Sequence, residues 1–185
     1  MNDPVLLYAA SAALACVLLL GALEKLRDMA RFSAAVSAYR ILPESWSGAF
    51  AWAYALAEAV AGVLLLAPPR QAAGAQLALL VLATATAALA FNLLRGHRDI
   101  DCGCGGPASG TGRGGQGGAG LSWWLVLRNA VLASWTAPAL HAATGGSRGL
   151  QWVDAAAVFG LAISAVALYY TANHLLASHL KLRNL

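Results

Sequence analysis

The sequence predicts an all-α integral membrane protein, a bundle of four to five transmembrane helices with a short interfacial helix between the first and second. Three observations carry that reading. Of the 185 residues, 59% are hydrophobic and only 11% are charged, where a soluble domain has about 25% charged residues; the mean hydropathy is +0.64. Five segments approach the ~20 apolar residues that a spanning helix needs. The basic residues gather on alternate connections between those segments, as they do in membrane proteins. A single transmembrane domain over residues 1–185 follows, with no room for a separate soluble domain.

The first helix is expected over about 5–23. Met1-Asn2-Asp3-Pro4 has no basic residue and the apolar run continues past any plausible cleavage point. It therefore reads as a retained helix and not as a signal peptide. Residues 25–47 are mixed, and Phe32, Val36 and Tyr39 recur at helical spacing. That pattern predicts a short helix with its apolar face among lipid headgroups. The second helix is expected over 48–67 and the third over 72–94. Pro68-Pro69-Arg70 between them makes the two an antiparallel hairpin. The fourth is expected over 123–143, with Pro138 and Arg128 inside it, and the fifth over 152–176. Residues 103–120 are glycine-rich and read as a flexible loop. Tyr39, Trp46, Trp123, Trp124, Trp152 and Tyr170 fall near helix ends, where aromatic belts form.

The charges orient the bundle. Lys25, Arg27, Arg31, Arg40, Arg95, Arg98, Arg113, Lys181 and Arg183 lie on one set of connections; Arg70 and Arg148 lie on the other. Nine against two puts the N-terminus outside and the 95–122 connection on the cytoplasmic face. The net charge of +4 meets anionic lipid rather than nucleic acid.

Reactive side chains are few. Cys102 and Cys104, separated by Gly103, are the leading candidates for chemistry. A thiolate is the reactive form and nearby positive charge raises its population; Arg95, His97, Arg98 and Arg128 can supply it, while Asp99 and Asp101 oppose it. A Cys-Gly-Cys disulfide closes a small ring whose strain favours exchange over stapling. Two alternatives stand beside this. The cysteines could have no chemical role, or they could bind a metal with His97 and Asp99 or Asp101. Structural zinc sites usually show wider cysteine spacing and a second ligand pair, so no metal is expected. Cys16 lies mid-helix and reads either as a small hydrophobe or as a relay thiol. Ionisable residues within spans are functional candidates by default. Glu58, Arg128, Glu24 and Lys25, with Asn92 and Asn129, could form a polar pocket near the dithiol; equally, Glu58 and Arg128 could be an ion pair that only fixes packing. No phosphate-binding loop, Ser-His-Asp set or zinc-protease helix is evident.

These residues resemble the MauE family of methylamine utilisation membrane proteins, related to the wider DoxX-like group. The resemblance rests on Gly21-Ala22-Leu23-Glu24-Lys25-Leu26-Arg27-Asp28 with Phe32, Tyr39 and Leu42-Pro43, and on Glu58 within Ala57 to Leu65. Asn92, Asp101-Cys102-Gly103-Cys104-Gly105, Ser122-Trp123 and Val126-Leu127-Arg128-Asn129 continue it. It covers about residues 14–132, and the 106–120 stretch looks longer than the family pattern. The resemblance implies a four- or five-helix bundle in a bacterial inner membrane. It also implies maturation of exported, disulfide-containing proteins such as methylamine dehydrogenase, with a periplasmic thioredoxin-like partner.

Together these readings lead to the expectation of a membrane thiol–disulfide oxidoreductase working through Cys102 and Cys104. The alternatives are a non-catalytic assembly factor and, as the DoxX-like relatives imply, a subunit that exchanges electrons with a quinone.

Overall fold

A computed structural model describes residues 4–96, 121–142 and 152–183. Among the described residues every regular element is a helix. The elements are α1 (Pro4–Arg27), α2 (Met29–Ala38), α3 (Glu44–Leu66), α4 (Gln71–Leu94), α5 (Trp123–Ser134), α6 (Ala137–Ala142) and α7 (Trp152–Arg183). Within them, Val5–Arg27, Glu44–Leu66, Pro68–Leu94 and Asp154–Ala172 are long and apolar enough to cross a membrane. The molecule is an all-α, multi-pass membrane protein.

Side-chain size shows why this bundle suits lipid. On α3 the inward positions include Ala51, Ala55, Glu58, Ala61 and Leu65, at steps of three and four residues, with Gly62 beside Ala61. Its outward positions are Trp52, Leu56, Val60, Val63 and Leu66, all exposed. Small residues let helix backbones approach closely, and dispersion over that contact holds membrane helices together where water cannot drive them. α3 and α4 approach closely at Gly74. A Cβ added to Gly74 would come within 2.6 Å of the Leu65 amide nitrogen, so only glycine fits there.

Breaks in the helices follow local chemistry. α1 gives way to α2 at Asp28, whose backbone leaves the helical region (φ −134°, ψ 65°). Its carboxylate accepts a hydrogen bond from the Arg31 amide at 3.1 Å and caps the new helix. α2 is the short helix expected between the first two spans, and part of its apolar side is covered by protein: Phe32 and Tyr39 are buried, Phe32 against Tyr54 of α3 at 6.0 Å between centroids and Tyr39 against Leu89 and Leu93 of α4. Arg40 follows with φ +50°, the left-handed turn that commonly ends a helix. At the far end of α3, Ala67 is extended (φ −92°, ψ 107°), as a residue before proline prefers. A single 3₁₀ turn, Pro68–Arg70, then reverses the chain into α4.

The expected fourth helix, 123–143, is two helices. Pro138 has no N–H to donate to the Ser134 carbonyl and its ring crowds that carbonyl. The helix therefore ends at Ser134, tightens through Trp135 N–H to Leu132 O and Thr136 N–H to Ala133 O (both 3.1 Å), and restarts with Leu140 N–H to Thr136 O. Together α5 and α6 retrace α4 in the opposite direction. Leu121, just before α5, clusters with Leu89, Leu93 and Tyr39. Leu132 and Ala139 join Ala75, Ala78 and Leu82 in the main core with Leu14 and Leu18 of α1. α7 packs chiefly on α1 and leaves Phe159, Leu161, Ile163 and Leu168 exposed.

Candidate functional site: a buried ion pair in an aromatic cage

Two charged residues meet inside the bundle. Lys25 Nζ donates to Glu58 Oε2 at 2.7 Å, and the two side chains are 7% and 9% exposed. Burying either charge alone would cost several kcal/mol, so each depends on the other. Lys25 also donates to the Gly21 carbonyl at 3.4 Å, one turn back on α1. Its ammonium stands 5.6 Å from the Phe32 ring centroid and 5.8 Å from that of Tyr54, within cation–π range.

The cage is assembled from three helices by simple spacing. Gly21 and Lys25 are four residues apart on α1, and Tyr54 and Glu58 are four apart on α3, so each pair shares a face. Gly21 gives the pair room: a Cβ there would stand 3.0 Å from Glu58 Oε1 and 3.5 Å from Lys25 Nζ. Phe32 comes from α2, which continues along α3 beyond the break at Asp28. This continuation explains the depth of the pair. Lys25 is close to the end of α1, yet it lies beside the fourteenth residue after Glu44 at the start of α3, about 21 Å along that helix by its rise. Tyr54 fastens the cage to α4 by donating to the Val81 carbonyl at 3.3 Å and stacks against Phe50 at 6.1 Å.

The other expected pocket residues are placed as follows. Arg128 Nη2 donates to Asn129 Oδ1 at 3.5 Å, and Asn129 is 3% exposed. Tyr170 of α7 lies within electrostatic range of Glu24, Cys16 and Arg128. Asn92 is buried and donates to the Ala88 carbonyl at 3.1 Å. It stands eleven residues beyond Val81 on α4, about 16 Å further along, and so is not beside the Lys25–Glu58 pair. Cys16 is exposed, on the outer side of α1 rather than in the core. Cys102 and Cys104 lie outside the described residues, as do His97, Asp99 and Asp101 of the metal alternative. Among the described residues, no three His, Cys, Asp or Glu side chains converge as metal ligands.

Gly21, Phe32 and Tyr54 were not singled out as pocket residues in the sequence. Their signal was helical spacing from the two charges: four residues before Lys25, seven after it, and four before Glu58.

A multi-pass helical bundle with small residues inside, large apolar residues outside and a caged ion pair between its spans is an integral membrane protein with a built polar centre. The chain belongs to the MauE family: the family model of Methylamine utilisation protein MauE matches residues 3–142. It is similar to the methylamine utilization protein MauE of Paracoccus denitrificans, 37% identical over 143 residues, which cover 77% of this chain and 71% of that protein. The Paracoccus versutus protein of the same name is 36% identical over the same shares. That of Methylophilus methylotrophus is 34% identical over 103 residues, 56% of this chain and 54% of the relative. No solved structure matches. The family match spans α1 to α6; α7 lies beyond it.

Proposed function

We propose that this protein is a membrane thiol–disulfide oxidoreductase of a bacterial inner membrane. It exchanges electrons between Cys102 and Cys104 and a periplasmic thioredoxin-like protein, and so supports the maturation of exported disulfide-containing proteins such as methylamine dehydrogenase. The exchange passes through a mixed disulfide: one sulfur joins a partner cysteine and the other resolves it, so that two electrons and two protons move between the dithiol and the disulfide.

The observation that carries the reading is the Cys102-Gly103-Cys104 pair, together with the family name, which belongs to methylamine utilisation. The flanking helices support it. Leu93 at the end of α4 and Leu121 before α5 pack together against Tyr39, so the chain leaves and re-enters the bundle at one end. Of the polar residues expected to serve the pair, Lys25 and Glu58 form a buried ion pair; in this reading they, with Glu24, Asn92, Arg128 and Asn129, supply the polar groups that handle its protons. The basic residues orient that end toward the cytoplasm. A periplasmic partner is then reached by a relay across the membrane, through Cys16 or a pocket that opens alternately to the two sides, or through a quinone that exchanges electrons with the pair.

Single Cys102→Ser and Cys104→Ser variants test the proposal in a maturation assay of the exported enzyme. Loss of matured enzyme in each, with a trapped mixed disulfide in one, is the expected result. Full maturation in both would leave a non-catalytic assembly factor as the reading. A co-purified quinone lost on Arg128→Ala would favour the quinone-linked subunit. Thiol labelling from each side of intact membranes reports the face on which the pair reacts.

A further inference from the structure

We infer that the Lys25–Glu58 pair is a latch that docks α2 onto α3, so that the charge on Glu58 sets whether α2 stays in its seat. The inference goes beyond the thiol reading and stands without it.

α2 has ten residues, too few to hold helical structure alone, and the backbone break at Asp28 gives it a joint. Its seat consists of three contacts. Phe32 packs against Tyr54, Ser37 Oγ donates to Ser47 Oγ of α3 at 2.7 Å, and Tyr39 fills the cluster of Leu89, Leu93 and Leu121. The first is electrostatic as well as apolar. Lys25 Nζ lies 5.6 Å from the Phe32 centroid and 5.8 Å from that of Tyr54, capping the contact from one side, and the attraction of both rings to one cation helps to hold them together. The cation is buried and is held there by Glu58. Neutralising Glu58 leaves an uncompensated buried ammonium, which must lose its proton or move toward water. Either change removes the attraction across the α2–α3 contact. Tyr39, at the other end of the same short helix, is thereby coupled to the ion pair. Undocking would uncover Leu89, Leu93 and Leu121.

Disulfide trapping reads the docked state. In the full chain, reconstituted in lipid nanodiscs with Cys16, Cys102 and Cys104 replaced by serine, Ser37→Cys and Ser47→Cys should cross-link rapidly under copper–phenanthroline. Glu58→Gln should slow the initial rate about tenfold, the scale implied by losing two partly desolvated cation–π contacts. The paired change Lys25→Leu with Glu58→Leu leaves no orphan charge and should retain far-ultraviolet helicity. It should slow cross-linking to the same extent. An unchanged rate in the paired variant overturns the latch, and that variant decides alone if Glu58→Gln does not fold. Because no native cysteine remains, the result is independent of whether Cys102 and Cys104 exchange electrons.

Discussion

A methyl group on Gly21 would stand 3.0 Å from Oε1 of Glu58. The carboxylate could ordinarily swing aside, but its other oxygen is tied to Lys25 at 2.7 Å. Two effects then compete in Gly21→Ala. The helix gains roughly 0.5–1 kcal/mol from replacing glycine in its interior, and the crowded carboxylate loses a comparable amount. The expected result is a change in unfolding free energy close to zero. Gly21→Val puts two further methyl groups on the branched Cβ in the same space, and overpacking of this kind costs about 1–3 kcal/mol. Its thermal midpoint in detergent should fall clearly below that of Gly21→Ala. Equal midpoints would mean that the ion pair has room to spare.

The pair itself should show strong coupling in a double-mutant cycle. Lys25→Leu or Glu58→Leu alone strands a buried charge and should destabilise by about 3–5 kcal/mol. Both together replace the pair with apolar side chains, so the double variant should lose much less than the sum. The coupling is read from reversible unfolding of the four proteins in mixed micelles. Additive losses would show that the two residues act separately, in spite of their contact.

How much of this was legible in the sequence depends on the kind of signal each feature leaves. The spans were legible because twenty apolar residues leave few alternatives. Glu58 and Lys25 stood out because charges are rare in such runs, but their partnership did not. The sequence placed Lys25 at the end of its helix and Glu58 in the middle of another. Only the continuation of α1 into α2 along α3 brings them level. The spacing of Phe32, Val36 and Tyr39 marked the apolar side of α2 but not how much of it protein covers, since an apolar face looks alike whether lipid or another helix lies against it. The division at Trp135 had a visible cause in Pro138, yet a proline in a spanning helix is compatible with a kink as well as a break. Cys16 shows the converse limit: within a wholly apolar run, nothing in the residue order says which side faces the core.

Gly74 should be the least replaceable glycine in the hairpin. Its virtual Cβ meets backbone, the Leu65 nitrogen at 2.6 Å and the Leu64 carbonyl carbon at 2.8 Å, and a backbone cannot rotate out of the way as a side chain can. The helix-propensity gain of alanine, about 1 kcal/mol, is smaller than the cost of parting α3 from α4. Gly74→Ala should therefore destabilise by about 2 kcal/mol net, within the range for overpacked cores. A midpoint at or above that of the parent protein would show that the two helices are not in such close contact.

Pro138 offers a test with the opposite sign. Leu132 and Ala139 both lie in the main core, and seven residues along an unbroken helix make nearly two full turns, returning to almost the same face. Joining α5 to α6 would therefore leave their inward positions aligned. Pro138→Ala restores an N–H that can donate to the Ser134 carbonyl and removes the ring that crowds it, a change of about 3 kcal/mol in an ideal helix interior. Part of that gain is lost if Thr136 must give up its 2.7 Å bond to the Ala133 carbonyl. The expected outcome is a modest rise in stability and slower amide hydrogen exchange at residues 135–139. If exchange there stays fast and the midpoint falls, the break is held by packing around Trp135 and not by the proline.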